Sequence, residues 1–488
     1  MSRLISAQRV ATLVGDFPRS PAYLGLADSL RVLIGDGRIG VGVRLPSERE
    51  LTGALDVSRT TVTRAYEVLR ESGYADARRG SGTFTVVPGG QRRQDRALMP
   101  GPGGDDVIDL NCAAHSAPPG LVEAYQRATD ELPAYLSGPG YFPLGVPVLQ
   151  ARIAAAYDAR GLPTLPEQVM VTAGALAAAS IVAQAFTAPG ERAVVESPTY
   201  PNATQAVRQA GARIVAADVD PDGWDLDALS ATLRQTSPRL AYLIPDFQNP
   251  TGHLMSDAQR EEVAGALART RTTVVADEAH HALALAPGLA DAMPRPLAAY
   301  AEGAITIGSA SKSYWGGLRL GWVRAPLADM DRLVQARIGL DLGAPVLEQL
   351  VLADLMDRAD EVLPVHRERL VAGRDALVAA VREHLPQWRF RVPDGGLALW
   401  CELPEPLGTA TTVEAERRGV VVAPGPLFAV EGGLDRFVRI PWTTSPETLT
   451  EAVRRLAAAW DHVSTDAART ASGRAASQRG GTGRVMVA

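Results

Sequence analysis

The hydrophobic pattern changes rhythm along the chain. In its middle third, short β-branched runs ("QVMVTAG", "RAVVES", "ARIVAADVD", "LAYLIPD", "TTVVADE", "AITIGSA") each end in a Gly, Pro, Asp or Asn break. Stretches with helical spacing lie between most of them ("ALAAASIVAQAF", "YPNATQAVRQAG", "LDALSATLRQT", "SDAQREEVAGALART"). Strands alternating with helices predict an α/β domain with a mostly parallel sheet covered on both faces. Ligands of such sheets sit beyond the carboxyl ends of the strands. After about residue 327 the pattern turns helical. A final α+β subdomain is predicted from "RFRVPDGGLALWCEL", "GVVVAPG" and "DRFVRIPW", followed by a helix over "SPETLTEAVRRLAAAWDHV" with a serine cap.

The first 87 residues have another rhythm. Residues 21–87 predict three helices and a hairpin. The first helix lies in "PAYLGLADSLRVLIGDGRI". The second starts at "LPSERELTGALD", with Ser47 as N-cap and Glu50 completing a capping box. The third, "VSRTTVTRAYEVLRESG", has Ser58 as N-cap and Gly73 as its stop. "YADARRGSGTFTVV" is a hairpin with a glycine-rich tip. Two helices joined by a short turn and followed by a wing can insert a recognition helix into the DNA major groove. Ser58, Arg59, Thr60, Thr61 and Thr63 cluster at the start of that helix, where side chains reach phosphates and base edges. Arg78, Arg79 and Gly82 at the tip would lie over an adjacent groove or the backbone. The alternative is a protein-interaction module whose arginines are simply solvated.

Composition limits the classes. The chain has 488 residues and a net charge of −6, with no global basic signature. Cys112 and Cys401 provide neither a disulfide framework nor a metal-ligand cluster, so no metal is expected. The N-terminus lacks a secretory pattern, and no stretch approaches the roughly 20 apolar residues of a membrane span. A cytoplasmic protein without membrane contact is expected. "VVPGGQRRQDRALMPGPGGDD" reads as a linker. The expected layout is a winged helix-turn-helix domain at 1–87, a linker at 88–107, the large domain at 108–463 and a disordered basic tail at 464–488.

One charge stands apart. Of the 49 basic residues all but one are arginine; the exception is Lys312, in "SASKSYWGGLRLGW". Arginine stays protonated, whereas a desolvated lysine amine can become a nucleophile and form a Schiff base. The commonest partner for such a lysine is pyridoxal 5'-phosphate (PLP), which requires a carboxylate for its pyridine nitrogen, donors for its phosphate and phenolic oxygen, and a flat group on its ring. The strand ends offer each. Arg319 and Ser309 flank the lysine and can grip a phosphate, helped by Gly174 and the N–H groups of Ala175 and Leu176 at a helix start. Asp277 can pair with a pyridinium, Asn249 can donate to the phenolic oxygen, and Tyr200 can cover the ring. Each alone is weak: an aspartate at a strand end is more often an N-cap, and a tyrosine is usually packing.

Two resemblances join these readings. "LPSERELTGALDVSRTTVTRAYEVLRESGYADARRGSGTFTV" resembles the GntR-type winged helix-turn-helix, through L-P-S-E-R-x-L, V-S-R-x-T-V and G-S-G-T-F. It implies operator contacts from Arg49, Arg59, Thr61, Thr63 and Arg79. From about residue 108 to 460 the chain resembles fold-type I aminotransferases. The matching motifs are Asn249–Gly252, Asp277-Glu278, Ser309–Lys312 (with Ser311 added to the cofactor set), Gly317–Trp322 and Glu196–Tyr200. That resemblance implies that Arg439, in "FVRIPW", holds the α-carboxylate of an amino compound. It also implies that Tyr141 approaches the site of a partner subunit in a homodimer. There are departures: Ala279 and His280 stand where relatives carry a tyrosine, and Leu176 where many carry a glutamine. His280 would replace that phenol as a donor, unless it is merely packed; at most weak transamination is expected. The fusion is similar to MocR-type regulators. It implies a PLP-dependent transcription regulator with operator DNA as partner and an amino compound, or PLP itself, as effector. Two alternatives stand beside it: an active aminotransferase carrying an accessory DNA domain, and a DNA-binding protein whose large domain has lost PLP.

Overall fold

A computed structural model describes residues 4–35, 38–40, 42–78, 82–86, 107–111 and 113–479, with backbone only at 78 and from 470 onward. Arg79 and almost all of the expected linker lie outside these residues.

The N-terminal domain contains the three expected helices, Ala22–Gly35, Glu48–Leu55 and Arg59–Glu71, and the hairpin Ala75–Arg78 with Gly82–Thr85. Ser47 accepts from the Glu50 amide while the Glu50 carboxylate accepts from the Ser47 amide, closing the capping box. The Ser58 hydroxyl caps the third helix by accepting from Thr61 N (3.0 Å). A fourth helix, Ala7–Val14, was not foreseen; Ser6 caps it, and Val10 and Val14 seal the small core beside Leu26, Leu30 and Leu51. Tyr66, buried in that core, donates to the Pro46 carbonyl (2.9 Å) and ties the third helix to the entry of the second.

The large domain is built on an eight-stranded sheet. In spatial order its strands are Val169–Thr172, Gly321–Arg324, Ile305–Ser309, Thr273–Asp277, Leu240–Leu243, Arg192–Ser197, Arg213–Asp220 and Gly223–Trp224. From Ile305–Ser309 to Arg213–Asp220 the neighbours run parallel. Gly321–Arg324 runs antiparallel to both its neighbours. The central strands are buried on both faces, which is why they read as continuous apolar runs rather than alternating ones.

The C-terminal subdomain has a three-stranded antiparallel sheet (Ala398–Glu402, Phe437–Pro441, Ala423–Pro424) covered by the helices Ala359–His384 and Pro446–Arg479. The serine cap is Ser445, which accepts from Thr448 N (3.2 Å). This last helix continues through 464–479, where a disordered tail was expected. A helix already nucleated by packing propagates readily into an Ala- and Arg-rich segment. Among the described residues no helix is long and apolar enough to cross a membrane.

Candidate cofactor cleft

Five strands end at one crevice, and each delivers a residue on the turn that follows it. Val169–Thr172 leads to Gly174 and the helix Ala175–Phe186. Arg192–Ser197 leads to Tyr200, Leu240–Leu243 to Asn249, Thr273–Asp277 ends on Asp277, and Ile305–Ser309 leads through a single helical turn, Ala310–Ser313, to Lys312. A cavity of about 380 Å³ results. Its lining includes every cofactor residue named from sequence: Lys312, Asp277, Asn249, Tyr200, Arg319, Ser309, Ser311, Gly174, Ala175, Leu176 and His280. Arg439 lines it as well. Tyr141 does not; it lies on the surface, 65% exposed.

The phosphate end is a backbone cradle. Gly174 has φ +100°, and a Cβ there would come within 3.1 Å of Arg319 Nη2, so glycine lets the guanidinium lie against the helix start. Gly321 is required for the same reason: its Cβ would meet Ala175 N at 2.5 Å. The Ser309 hydroxyl accepts from Ser311 N (3.2 Å). Amides at a helix N-terminus, an arginine and two serines form an anion site.

The opposite end is acidic and buried. Asp277 is buried; Oδ1 accepts from Ala279 N (3.0 Å) and Oδ2 from the Tyr242 hydroxyl (2.5 Å). Burial pushes its carboxyl above the usual carboxylate range, partly offset by those two donors. A pyridinium beside it would supply the charge that burial removes. Sequence reading missed Tyr242, which sat unmarked in the apolar run "LAYL". Glu196, from the E-x-P-x-Y motif, is not in the cavity. It accepts from Trp224 Nε1, Ile244 N and Gln248 Nε2 behind it, and burial raises it to about 7.

Lys312 Nζ donates to the Ala113 carbonyl (2.6 Å). Arg439, 2% exposed, donates to the Asn111 carbonyl (2.6 Å) and to Asn249 Oδ1 (3.3 Å), and lies over the Phe428 ring. That contact occupies the Asn249 oxygen and leaves its NH2 as the group able to donate to a ligand. The residues present therefore fit PLP at both its charged ends, on its ring and at its aldehyde.

His280 corrects one expectation. Its Nδ1 lies 2.9 Å from the Phe247 carbonyl, which can only accept, so Nδ1 carries the proton. Burial, with Lys312 and Arg439 nearby, lowers its pKa to about 4. Neutral His280 then offers an unprotonated Nε2, an acceptor, and cannot replace a phenol as donor. His281 Nδ1 lies 3.3 Å from the Asp246 carboxylate, in a buried cluster that also holds Arg160, Arg260 and Glu278. Tyr314 is buried in the large core and Trp315 covers Gly317, so both are packing residues of the lysine loop.

On the N-terminal domain, Arg49, Ser58, Arg59 and Thr60 are exposed, and Thr61 and Thr63 half-buried. Several are engaged within the domain. Ser47 and Ser58 are caps, Thr63 donates to Glu48 (2.9 Å), and Arg59 lies 3.4 Å from the same carboxylate. Gly82 has φ +106° and abuts the Arg44 side chain; Arg78 is in the hairpin strand beside it.

A lysine-bearing cleft at the strand ends of a mostly parallel sheet, behind a winged helix, defines a fusion of a DNA-binding domain with an aminotransferase fold. Residues 118–456 match the model of aminotransferase class I and II, and residues 22–85 that of bacterial regulatory proteins, gntR family. The chain belongs to the aminotransferase class I and II family, in the MocR-type arrangement with a GntR domain ahead of it. It is 34% identical over 312 residues to a 2-aminoadipate transaminase of Thermus thermophilus, covering 62% of this chain and 77% of that one. It is 28% identical to the HTH-type transcriptional regulator YdcR of Escherichia coli, covering 86% and 94%. Among solved structures, LysN, the α-aminoadipate aminotransferase of Thermus thermophilus complexed with N-(5'-phosphopyridoxyl)-L-leucine, superposes with a TM-score of 0.65. It shares 29% identity and covers 74% of this chain and 94% of that one.

Proposed function

We propose that the protein is a PLP-dependent transcription regulator, in which the large domain binds PLP on Lys312 and responds to an amino compound or to PLP itself. The observation that carries this reading is that one chain joins a full cofactor cleft to a DNA-reading domain of the GntR type. Its length-spanning similarity to an HTH-type regulator supports it.

When bound, PLP supplies an electrophilic carbon for amines. The rest is work for this chain's own residues. Lys312, half-buried beside Ala113, Ala114 and the Ser309–Ser311 turn, would exchange its contact with the Ala113 carbonyl for a covalent hold on the cofactor. Asp277, oriented by Tyr242 and the Ala279 amide, would face the pyridine nitrogen, whose positive charge would favour the carboxylate. Arg319, Ser309 and Ser311 with the Gly174–Leu176 amides would hold the phosphate. Asn249 would orient the phenolic oxygen and Tyr200 would cover the ring. Arg439 takes a carboxylate of the effector bidentately. For regulation the effector must favour one arrangement of the protein over another.

On the small domain, Arg49, Arg59, Thr60, Thr61, Arg78 and Arg79 contact operator DNA, while Ser47, Ser58, Thr63 and Gly82 hold the helices and wing in shape around them. Paired chains would read two half-sites. A homodimer would place Tyr141 near the partner's cleft, and the protein would work in the cytoplasm.

An active aminotransferase is the second reading, favoured by the similarity to a 2-aminoadipate transaminase. The missing donor at His280 argues for weak turnover. Multiple-turnover release of a keto acid from the purified protein would favour the enzyme. Operator affinity that shifts with PLP or an amine, without turnover, supports the regulator.

A further inference from the structure

In the single helical turn Ala310–Ser313 the Ala310 carbonyl accepts from the amides of Tyr314 and Trp315. The carbonyl of Lys312 itself is met by two imidazoles, His115 Nε2 at 2.9 Å and His366 Nε2 at 3.1 Å. The rings lie 3.7 Å apart between centroids, tilted by 42°. A carbonyl only accepts, so His366 Nε2 carries a proton toward it; His115 Nδ1 also faces a carbonyl, that of Ser116 at 2.8 Å, so a neutral His115 donates to one of its two carbonyls at a time. His366 is buried, on the long helix Ala359–His384 of the C-terminal subdomain. Neither ring lines the cavity, so neither touches a ligand there.

His115 belongs to the segment that leaves the linker. That segment pairs with Val420–Val421 through Ile108–Asp109, then passes over the cleft. The Asn111 carbonyl accepts from Arg439, the Ala113 carbonyl accepts from Lys312 Nζ, and His115 reaches the Lys312 peptide. Within a few residues it touches the effector arginine, the cofactor lysine and that lysine's backbone.

We infer that His115 and His366 are positioning residues for Lys312. Together they fix the lysine's peptide so that Nζ is presented to the cleft, and His115 makes the segment leaving the linker part of that support. The inference rests on the proposed PLP site. It ties that site to the segment that leaves the linker.

The test uses the full-length chain. Gln carries an amide nitrogen where the imidazole has Nε2, whereas the shorter Asn carries it near the place of Nδ1. PLP affinity is titrated through the lysine-dependent visible band in wild type, H366Q, H366N, H115Q and H115N. The Asn variants are expected to bind about tenfold more weakly, the effect of one lost buried hydrogen bond. The Gln variants are expected to stay within about threefold of wild type. H115N is also expected to blunt the PLP-dependent change in operator affinity more than H366N does. Melting temperatures are measured in parallel, and if the Asn chains do not fold, His115→Leu and His366→Leu give the same contrast with Gln. Asn and Gln variants that bind PLP alike, whether both as wild type or both weakened, overturn the inference. A wild type with no lysine-dependent band overturns the proposed function along with it.

Discussion

The winged helix and the cofactor cleft use polar residues in opposite ways. Around the recognition helix, the serines and threonines that a DNA reading picks out are exposed or half-buried, and several already have local partners: Ser47 and Ser58 as caps, Thr63 on Glu48. In the cleft, the polar groups come from five strand ends and two distant segments; Asp277 and Arg439 are buried, Lys312, Asn249 and Tyr200 are half-buried, and burial shifts the pKa values of Asp277 and His280. In the first region, then, loss of a side chain acts on the fold or on an absent partner. In the second it acts on a preorganised site whose groups depend on one another.

The largest contrast comes from Lys312→Ala. It is expected to abolish the visible band of lysine-bound PLP in absorbance spectra while leaving the winged helix folded by circular dichroism. Retention of the band would mean that another group holds the cofactor.

Two changes next to the cleft rank second. Tyr242→Phe leaves buried Asp277 with one donor fewer, a loss of about 1–3 kcal/mol that is expected as lower PLP affinity in titration. Gly174→Ala forces a side chain into a backbone conformation essentially reserved for glycine. It should cost about 1–3 kcal/mol of stability by denaturant unfolding and weaken phosphate binding as well. An unchanged PLP affinity in both would place the ligand elsewhere.

On the winged helix the expected split is between stability and binding. Ser58→Ala removes a cap and should cost about 1 kcal/mol of domain stability. Arg59→Ala, at a mostly exposed side chain, should leave stability unchanged, weaken operator binding, and reduce its salt dependence by about one phosphate contact. The two effects exchanged would collapse the distinction between cap and contact.

The smallest expected effect is on pH. Burial holds His280 and His366 at about 4 and lowers His115, His253 and His281 below their ordinary 6.5. The unfolded chain then binds more protons, so stability should fall as pH drops from about 6.5 toward 4. Glu196, raised to about 7, acts in the other sense between its ordinary value and 7. Thermal melts across this range should show the histidine slope, reduced in His366→Gln.

Much of this was legible in the sequence. The helices Ala175–Phe186 and Leu226–Thr236 fall where their apolar spacing put them. Most of the cleft residues could be named because they sit at or just after strand ends with a chemical demand attached, whereas Arg439, inside the strand Phe437–Pro441, was named from the family resemblance. Other features carried no local signal. Tyr242 is one aromatic in a buried run, and its role depends on a neighbouring strand that brings Asp277 opposite. His115 and His366 are far apart in the chain and meet only through tertiary packing. The tautomer of His280 follows from a backbone carbonyl at Phe247, which no side-chain pattern encodes. Arg319 was read as a phosphate ligand, but the strand that follows it was not, because Gly321–Arg324 is short and its glycine serves the close approach to Ala175.

The most direct test of the central claim is operator affinity measured on wild type and Lys312→Ala, each with and without PLP and a panel of amino compounds. Wild-type affinity should shift with PLP and with at least one amine, and the Lys312→Ala chain should bind DNA with an affinity that neither changes. Wild-type binding that ignores both, or a variant that responds as the wild type does, would contradict it.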